Sequence, residues 1–157
     1  IIIPISAVMV SFIDFLISFV IMIGLMIWYK FVPSWNIVFL PLFILLATFV
    51  TIGLGLLISA LNVKYRDFRY IVPFIVQFGL YVSPVGFKSD IVPEHLRFWY
   101  SMNPMVGVID GFRWCLLGGN IAFDTTGFLI SLLVSVIIFI VGFTYFRKME
   151  RSFADII

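Results

Sequence analysis

Charged residues are scarce in this sequence. They make up 11% of the 157 residues, against about 25% in a typical soluble domain. A chain with so few charges lacks the polar shell that keeps a folded core in water, which excludes soluble enzymes, nucleic-acid modules and disordered regulators. The net charge of +2 is also too small to create the basic field that attracts nucleic acid.

Groups that carry chemistry are equally few. The single cysteine, Cys115, excludes an internal disulfide and a multi-cysteine metal site, and His95 is the only histidine. The sequence has neither the G-x-x-x-x-G-K-[ST] loop that binds nucleotide phosphates nor the G-x-S-x-G turn of serine hydrolases. We therefore predict no catalytic residue, metal site or cofactor site in this chain, and any ATP that drives it is bound by another chain.

Hydrophobic residues, in contrast, make up 63% of the chain, and its mean hydropathy is +1.21. They form four long stretches without Asp, Glu, Lys or Arg: 15–29, 31–63, 70–87 and 125–146. About 20 apolar residues cross the hydrocarbon of a bilayer as a helix. We therefore predict an all-α integral membrane fold with transmembrane helices at 5–30, 36–61, 69–87 and 125–146. Pro33, Ser34 and Trp35 indicate a turn at the membrane interface.

The distribution of Lys and Arg predicts the orientation of these helices. Basic residues concentrate in the loop 62–68 and the tail 147–157, so the positive-inside rule places both in the cytoplasm. The segment 88–124 then lies on the outer side. The chain opens on Ile1 in the middle of an apolar pattern, and we interpret it as the later, N-terminally incomplete part of a longer membrane protein.

The outer segment carries the signals of two short helices. The first is expected near Pro93, with Glu94 in its first turn. The second has Asn103 as N-cap and Pro104 at its first position, and it ends at Gly118 and Gly119. Both are too short to cross a bilayer, which favours a re-entrant hairpin that dips into the membrane and returns. The alternative is an ordinary cap that lies on the membrane surface.

Polar groups at membrane depth are candidates for a translocation path. Asp14 lies inside the first predicted helix, where a carboxylate must face protein or water, or else sits near the inner interface. Spacings of four, three and four residues place Tyr70, Phe74, Gln77 and Tyr81 on one face of the third helix. Such a row suits a sugar chain, and packing against another helix is the alternative.

Two further patterns have a structural explanation as well as a functional one. A row of small and polar residues on the second helix, including Thr48, Gly55, Ser59 and Asn62, indicates close helix packing. Charged and aromatic side chains form a compact corner between the second and third helices, which is either a topology signal or a docking surface for a soluble partner. Its members are Lys64, Tyr65, Arg66, Asp67 and Arg69.

Four segments of the chain resemble the membrane subunits of bacterial polysaccharide ATP-binding cassette (ABC) exporters, which move O-antigen, capsule or teichoic-acid chains. They are LISALNVKYRDFRYIVPF at 57–74, YVSPV at 81–85, YSMNPMVGVIDGFRW at 100–114 and FRKMERSFADII at 146–157. The resemblance runs through residues 5–157. It implies a six-helix subunit, of which this chain carries helices three to six, while the main coupling helix precedes Ile1.

The resemblance also implies partners and roles. The subunit works as a homodimer with a separate ATP-binding cassette subunit that holds ATP and Mg, in the bacterial plasma membrane, and it passes a lipid-linked glycan. The outer half-helices match the family's gate, which adds Ser83, Pro84, Asn103, Pro104, Asp110 and Arg113 as gate candidates. Arg113 is one turn from Asp110 and is expected to pair with it. A lipid or drug exporter of the same architecture, a membrane-embedded transferase and a structural scaffold remain as alternatives.

Overall fold

The computed structural model describes residues 2–65, 67–118 and 123–154, and within these residues all regular structure is helical. The α-helices are α1 (Ile2–Trp28), α2 (Leu40–Lys64), α3 (Phe68–Val82), α4 (Glu94–Ser101), α5 (Pro104–Leu117) and α6 (Thr125–Ala154). Two short 3-10 helices, Trp35–Phe39 and Ser89–Ile91, precede α2 and α4. The predicted all-α fold is confirmed.

Three helices among the described residues are long and apolar enough to cross a membrane. The candidate spans are Val8–Trp28, Trp35–Lys64 and Thr125–Glu150. They correspond to three of the four predicted transmembrane helices. The chain is thus a membrane-spanning protein.

The helix predicted at 69–87 is shorter than expected. It ends at Val82, because Ser83 has an extended backbone with φ −86° and ψ 148° and is followed by Pro84. Its 15 residues rise about 22 Å, against about 30 Å of hydrocarbon. The end at 87 was wrong, and a fourth complete crossing stays a prediction.

The other boundaries shift by a few residues. The Ser34 side chain accepts a hydrogen bond of 3.0 Å from the Asn36 N–H and so begins the 3-10 turn before α2. Helix α2 then continues to Lys64, so most of the predicted loop 62–68 is helical or forms a tight turn. Helix α6 extends through most of the predicted tail 147–157, of which residues 155–157 lie outside the described part of the chain.

The centre of the fold is a close crossing of α2 and α6. A Cβ atom on Gly53 would lie 2.8 Å from the Phe139 Cα, and one on Gly142 would collide with the Gly53 carbonyl. Backbones approach this closely only where side chains are absent. The face of α2 predicted for this packing was therefore wrong. The buried face carries Val50, Gly53, Leu56 and Ala60, whereas Gly55 faces open space.

Helix α5 packs against this pair through aromatic side chains. The Phe43 ring of α2 is 2% exposed and occupies the space where Gly111 of α5 has no side chain. The same ring lies 5.4 Å from the Phe128 ring of α6, measured between centroids, in an edge-on arrangement. These contacts fix the hairpin of α4 and α5 on the α2–α6 crossing, and the candidate site lies on this hairpin.

Candidate functional site

The hairpin of α4 and α5 has the ends that the sequence predicts. Pro93 is the N-cap of α4, and Glu94 lies in its first turn. Asn103 caps α5 through its side chain, which accepts from the Met105 N–H at 3.0 Å, and Pro104 takes the first helical position. Gly118 closes α5 with a φ of +59°, a conformation that glycine adopts without strain. A re-entrant position of this hairpin in the membrane stays a prediction.

Arg113 joins α5 to the connecting turn, residues 83–92. Its guanidinium donates to the Phe87 carbonyl at 2.7 Å and to the Val85 carbonyl at 3.1 Å. It also lies 3.6 Å from the Asp110 carboxylate, so the predicted pair is present. Because the planar guanidinium can donate in several directions at once, one side chain fixes both carbonyls of the turn.

The remaining gate candidates gather around the same turn. Asn103 donates from its side-chain amide to the Ser83 hydroxyl at 3.0 Å, and Ser83 and Pro84 are buried. The Ser89 hydroxyl donates to the Asp110 carboxylate. The structure thus brings together Ser83, Pro84, Asn103, Pro104, Asp110 and Arg113, which span 31 residue positions in the sequence. Their role as a gate stays a prediction.

A cavity of about 290 Å³ lies under the hairpin, between the connecting turn, α4, α5 and the start of α6. We call it the hairpin cavity. Several polar residues that the sequence analysis did not identify as site residues also line it, among them Ser89, Tyr100 and Asp124. Of these, Asp124 carries a recognisable signal, since an Asp directly before a helix is a typical N-cap. Its carboxylate accepts from the Gly127 N–H at 3.0 Å.

The surroundings raise the pKa values of two titratable side chains in the cavity. Burial raises the pKa of the Asp110 carboxyl, while the hydrogen bond from Ser89 and the charge of Arg113 act in the opposite direction. Burial, followed by the charge of Asp110, raises the pKa of Tyr100. An interaction with the nearby Ser89 hydroxyl lowers the pKa of Tyr100, although the two hydroxyls do not meet hydrogen-bond geometry. The buried Tyr100 hydroxyl has no hydrogen-bond partner among the described residues.

The path candidates on α3 form an exposed row. Tyr70, Phe74 and Tyr81 are 76%, 69% and 72% exposed, and Gln77 between them is also exposed. Within the described part of the chain, these four side chains are not covered by another helix, which was the alternative explanation. Asp14 is exposed on α1, and no hydrogen bond or ion pair of the described residues joins it to this row. Their role in translocation stays a prediction.

The basic corner lies at the junction of α2 and α3. Lys64, Tyr65, Asp67 and Arg69 are all exposed there, and Arg66 lies outside the described residues. The Lys64 ammonium is 5.2 Å from the centre of the Tyr65 ring, and the Arg69 guanidinium is 5.8 Å from that of Tyr70. The corner is accessible to a partner, and its use as a contact surface stays a prediction.

Comparison with known proteins gives concordant results. The family model for ABC-2 type transporters matches residues 2–117. Two proteins of Klebsiella pneumoniae named O-antigen export system permease protein RfbA are 26% and 27% identical to the chain over 99% of its length. A protein of the same name from Myxococcus xanthus is 25% identical over 98% of the chain. The chain covers 60% of the length of each of these three relatives.

Proposed function

The chain belongs to the ABC-2 type transporter family, and from this premise we propose that it forms the transmembrane subunit of an ATP-driven polysaccharide exporter. Its substrate is a lipid-linked glycan of the O-antigen or teichoic-acid type, which crosses the bacterial plasma membrane. The observation that carries this proposal is the similarity to three O-antigen export permeases along nearly the whole chain.

Energy for transport comes from a separate ATP-binding cassette subunit, which binds ATP and Mg. The exposed cytoplasmic corner of Lys64, Tyr65, Asp67 and Arg69 supports a contact with that subunit. ATP binding drives the cycle by favouring one conformation of the assembly over another, since a ligand shifts an equilibrium only through its differential affinity for the two states. The C-terminus lies on the same cytoplasmic side.

A second copy of the chain and the surrounding lipid cover the apolar helix surfaces. Large hydrophobic side chains on α1 and α3 are exposed in the single chain, among them Val20, Ile21 and Val76. The row on α3 faces the lumen between two copies in this proposal. Its rings stack on the C–H faces of sugars, and Gln77 and the tyrosine hydroxyls bond sugar hydroxyls.

The hairpin acts as the outer gate. Arg113 holds the connecting turn through the Val85 and Phe87 carbonyls, and the packing of Phe43 against Gly111 couples α5 to the membrane helices. A relative shift of α2 and α6 is therefore transmitted to the hairpin. The chain's contribution is mechanical coupling, and it contributes no covalent chemistry.

Disruption of the gene in its host tests the proposal. We expect lipid-linked glycan to accumulate inside the cell while glycan at the cell surface is lost, and a plasmid copy should restore both levels. Unchanged glycan on both sides, in a host without a second exporter, contradicts the proposal and favours export of a lipid or drug by the same architecture.

A further inference from the structure

The hairpin cavity has the dimensions of a site for one small ligand. Its volume of about 290 Å³ lies just below the roughly 300–1,000 Å³ typical of small-molecule sites. Exposed residues at one side, including Val85, Lys88 and Asp90, leave an open mouth. The cavity therefore admits a single ring with its substituents, and a polymer chain is too large for it.

One polar group in the cavity lacks a partner. The Tyr100 hydroxyl is buried and unpartnered among the described residues, and a buried hydroxyl without a hydrogen bond is unfavourable relative to a paired one. This hydroxyl both donates and accepts hydrogen bonds. A ligand hydroxyl, which also does both, is its matching partner.

Aromatic side chains form much of the remaining wall. The Phe87 and Tyr100 rings lie 6.3 Å apart, and the Phe123 and Phe128 rings lie 5.4 Å apart, measured between centroids. The two pairs belong to different parts of the fold, the hairpin side and the start of α6. Ring faces with a few hydrogen-bonding groups between them suit a molecule that is apolar on its C–H faces and hydroxylated at its edge.

The charges around the cavity argue against an ionic ligand. Three basic and three acidic side chains line it, namely Lys88, Arg97, Arg113, Asp90, Asp110 and Asp124. Both terminal nitrogens of Arg113 already donate to backbone carbonyls, so the fork that would bind a phosphate is in use. No group of three or more carboxylate, histidine or cysteine side chains in the described part of the chain is placed to hold a metal ion.

We propose that the hairpin cavity is a binding site for one neutral sugar ring, with the Tyr100 hydroxyl bonded to a sugar hydroxyl and the ring held between aromatic side chains. The inference rests on the proposed function, because the exported glycan supplies the sugar at the outer side. A sugar unit bound in the cavity contacts the connecting turn, α4 and α6, and it therefore acts directly on the gate.

Saturation-transfer NMR on the full-length chain in lipid nanodiscs tests this site, with D-glucose, D-galactose and D-mannose as probes. Nanodiscs are needed because the sugar headgroups of maltoside detergents would compete. We expect saturable millimolar binding of at least one hexose. Tyr100→Phe should weaken it about 3- to 10-fold, which is the loss of one neutral hydrogen bond. Tyr29→Phe, the same change at an exposed position outside the cavity, should leave it unchanged.

A second variant tests whether Tyr100→Phe weakens hexose binding only by disturbing the fold. Asp124→Asn keeps the side-chain oxygen that caps α6 but removes a charged acceptor from the cavity, and it should also weaken hexose binding. Binding of inorganic phosphate or Mg²⁺ without hexose binding overturns the site, as does an equal dissociation constant in wild type and Tyr100→Phe. If surface glycan still depends on the gene in that case, the export function stands and only the sugar site fails. If hexose binds as expected but surface glycan is independent of the gene, the export function fails and the site stands.

Discussion

Arg113→Ala should release the connecting turn from α5 while the membrane helices remain folded. The guanidinium donates to the Phe87 and Val85 carbonyls at 2.7 and 3.1 Å, and its side chain is only 24% exposed. A hydrogen bond to a charged group contributes about 1.5–3 kcal/mol. Because the bond to Val85 is exposed, we assign about 2–3 kcal/mol to the two together. The ion pair with Asp110, at 3.6 Å, adds little.

This loss of free energy corresponds to a rise of about 30- to 150-fold in the equilibrium constant for local opening of the turn. Hydrogen–deuterium exchange of the full-length protein in nanodiscs measures it at the amides of Ile91 and Val92, which bond to the Lys88 and Ser89 carbonyls. Amides in the middle of α2 should exchange as in wild type. In cells, the variant should insert normally into the membrane but alter the amount of glycan at the surface.

Two control variants distinguish the effect of losing the two Arg113 hydrogen bonds from the effect of losing a positive charge. Arg113→Lys keeps the positive charge near Asp110, but an ammonium cannot span both carbonyls, so its effect should be intermediate. Arg97→Ala removes a cation from the same outer segment together with its long 3.4 Å bond to the Val92 carbonyl, but it leaves both Arg113 bonds intact, so exchange at Ile91 should change much less. Wild-type exchange in a folded Arg113→Ala protein, or normal surface glycan, would refute the reasoning.

Two other matched pairs test the packing that supports the hairpin. Gly53→Ala should unfold more easily in an SDS titration than Gly55→Ala by about 1–3 kcal/mol, because only the first forces the α2 and α6 backbones apart, while the gain in helix propensity is common to both. Equal stability of the two variants would contradict the described crossing. Ser131→Ala should lower the midpoint of thermal unfolding more than Ser135→Ala. Both side chains are fully buried, but only Ser131 donates to the last carbonyl of α4, at 2.9 Å, whereas Ser135 donates within α6. A larger effect at Ser135 would show that α6 does not hold α4 in this way.

Local signals in the sequence predict much of the hairpin. Asn103 and Pro104 start α5 and Gly118 ends it, because caps depend on neighbouring residues alone. The Asp110–Arg113 pair follows in the same way from the spacing along one helix. The main bonds of Arg113 could not be predicted, since the Phe87 and Val85 carbonyls are 26 and 28 residues away in the sequence.

The errors have specific physical causes. The hydropathy of the apolar stretch continues to Phe87, but Pro84 and the extended Ser83 end α3 five residues earlier. On α2, small residues occur on two faces, and only the position of α6 shows that Gly53 is at the contact and Gly55 is not. The hairpin cavity depends on residues from three separated segments, so no local pattern around Tyr100 reveals it.

The most direct test of the central claim is transport by the purified full-length protein and its ATP-binding partner in proteoliposomes. A radiolabelled lipid-linked glycan is placed in the leaflet on the side of the nucleotide, and its appearance on the opposite side is followed by enzymatic cleavage of the accessible glycan. We expect transfer that requires ATP and Mg and that is much slower for the same lipid carrier without its sugar chain. Equal transfer of the bare carrier, or glycan transfer that is independent of ATP, would contradict the assignment of this chain to ATP-driven polysaccharide export.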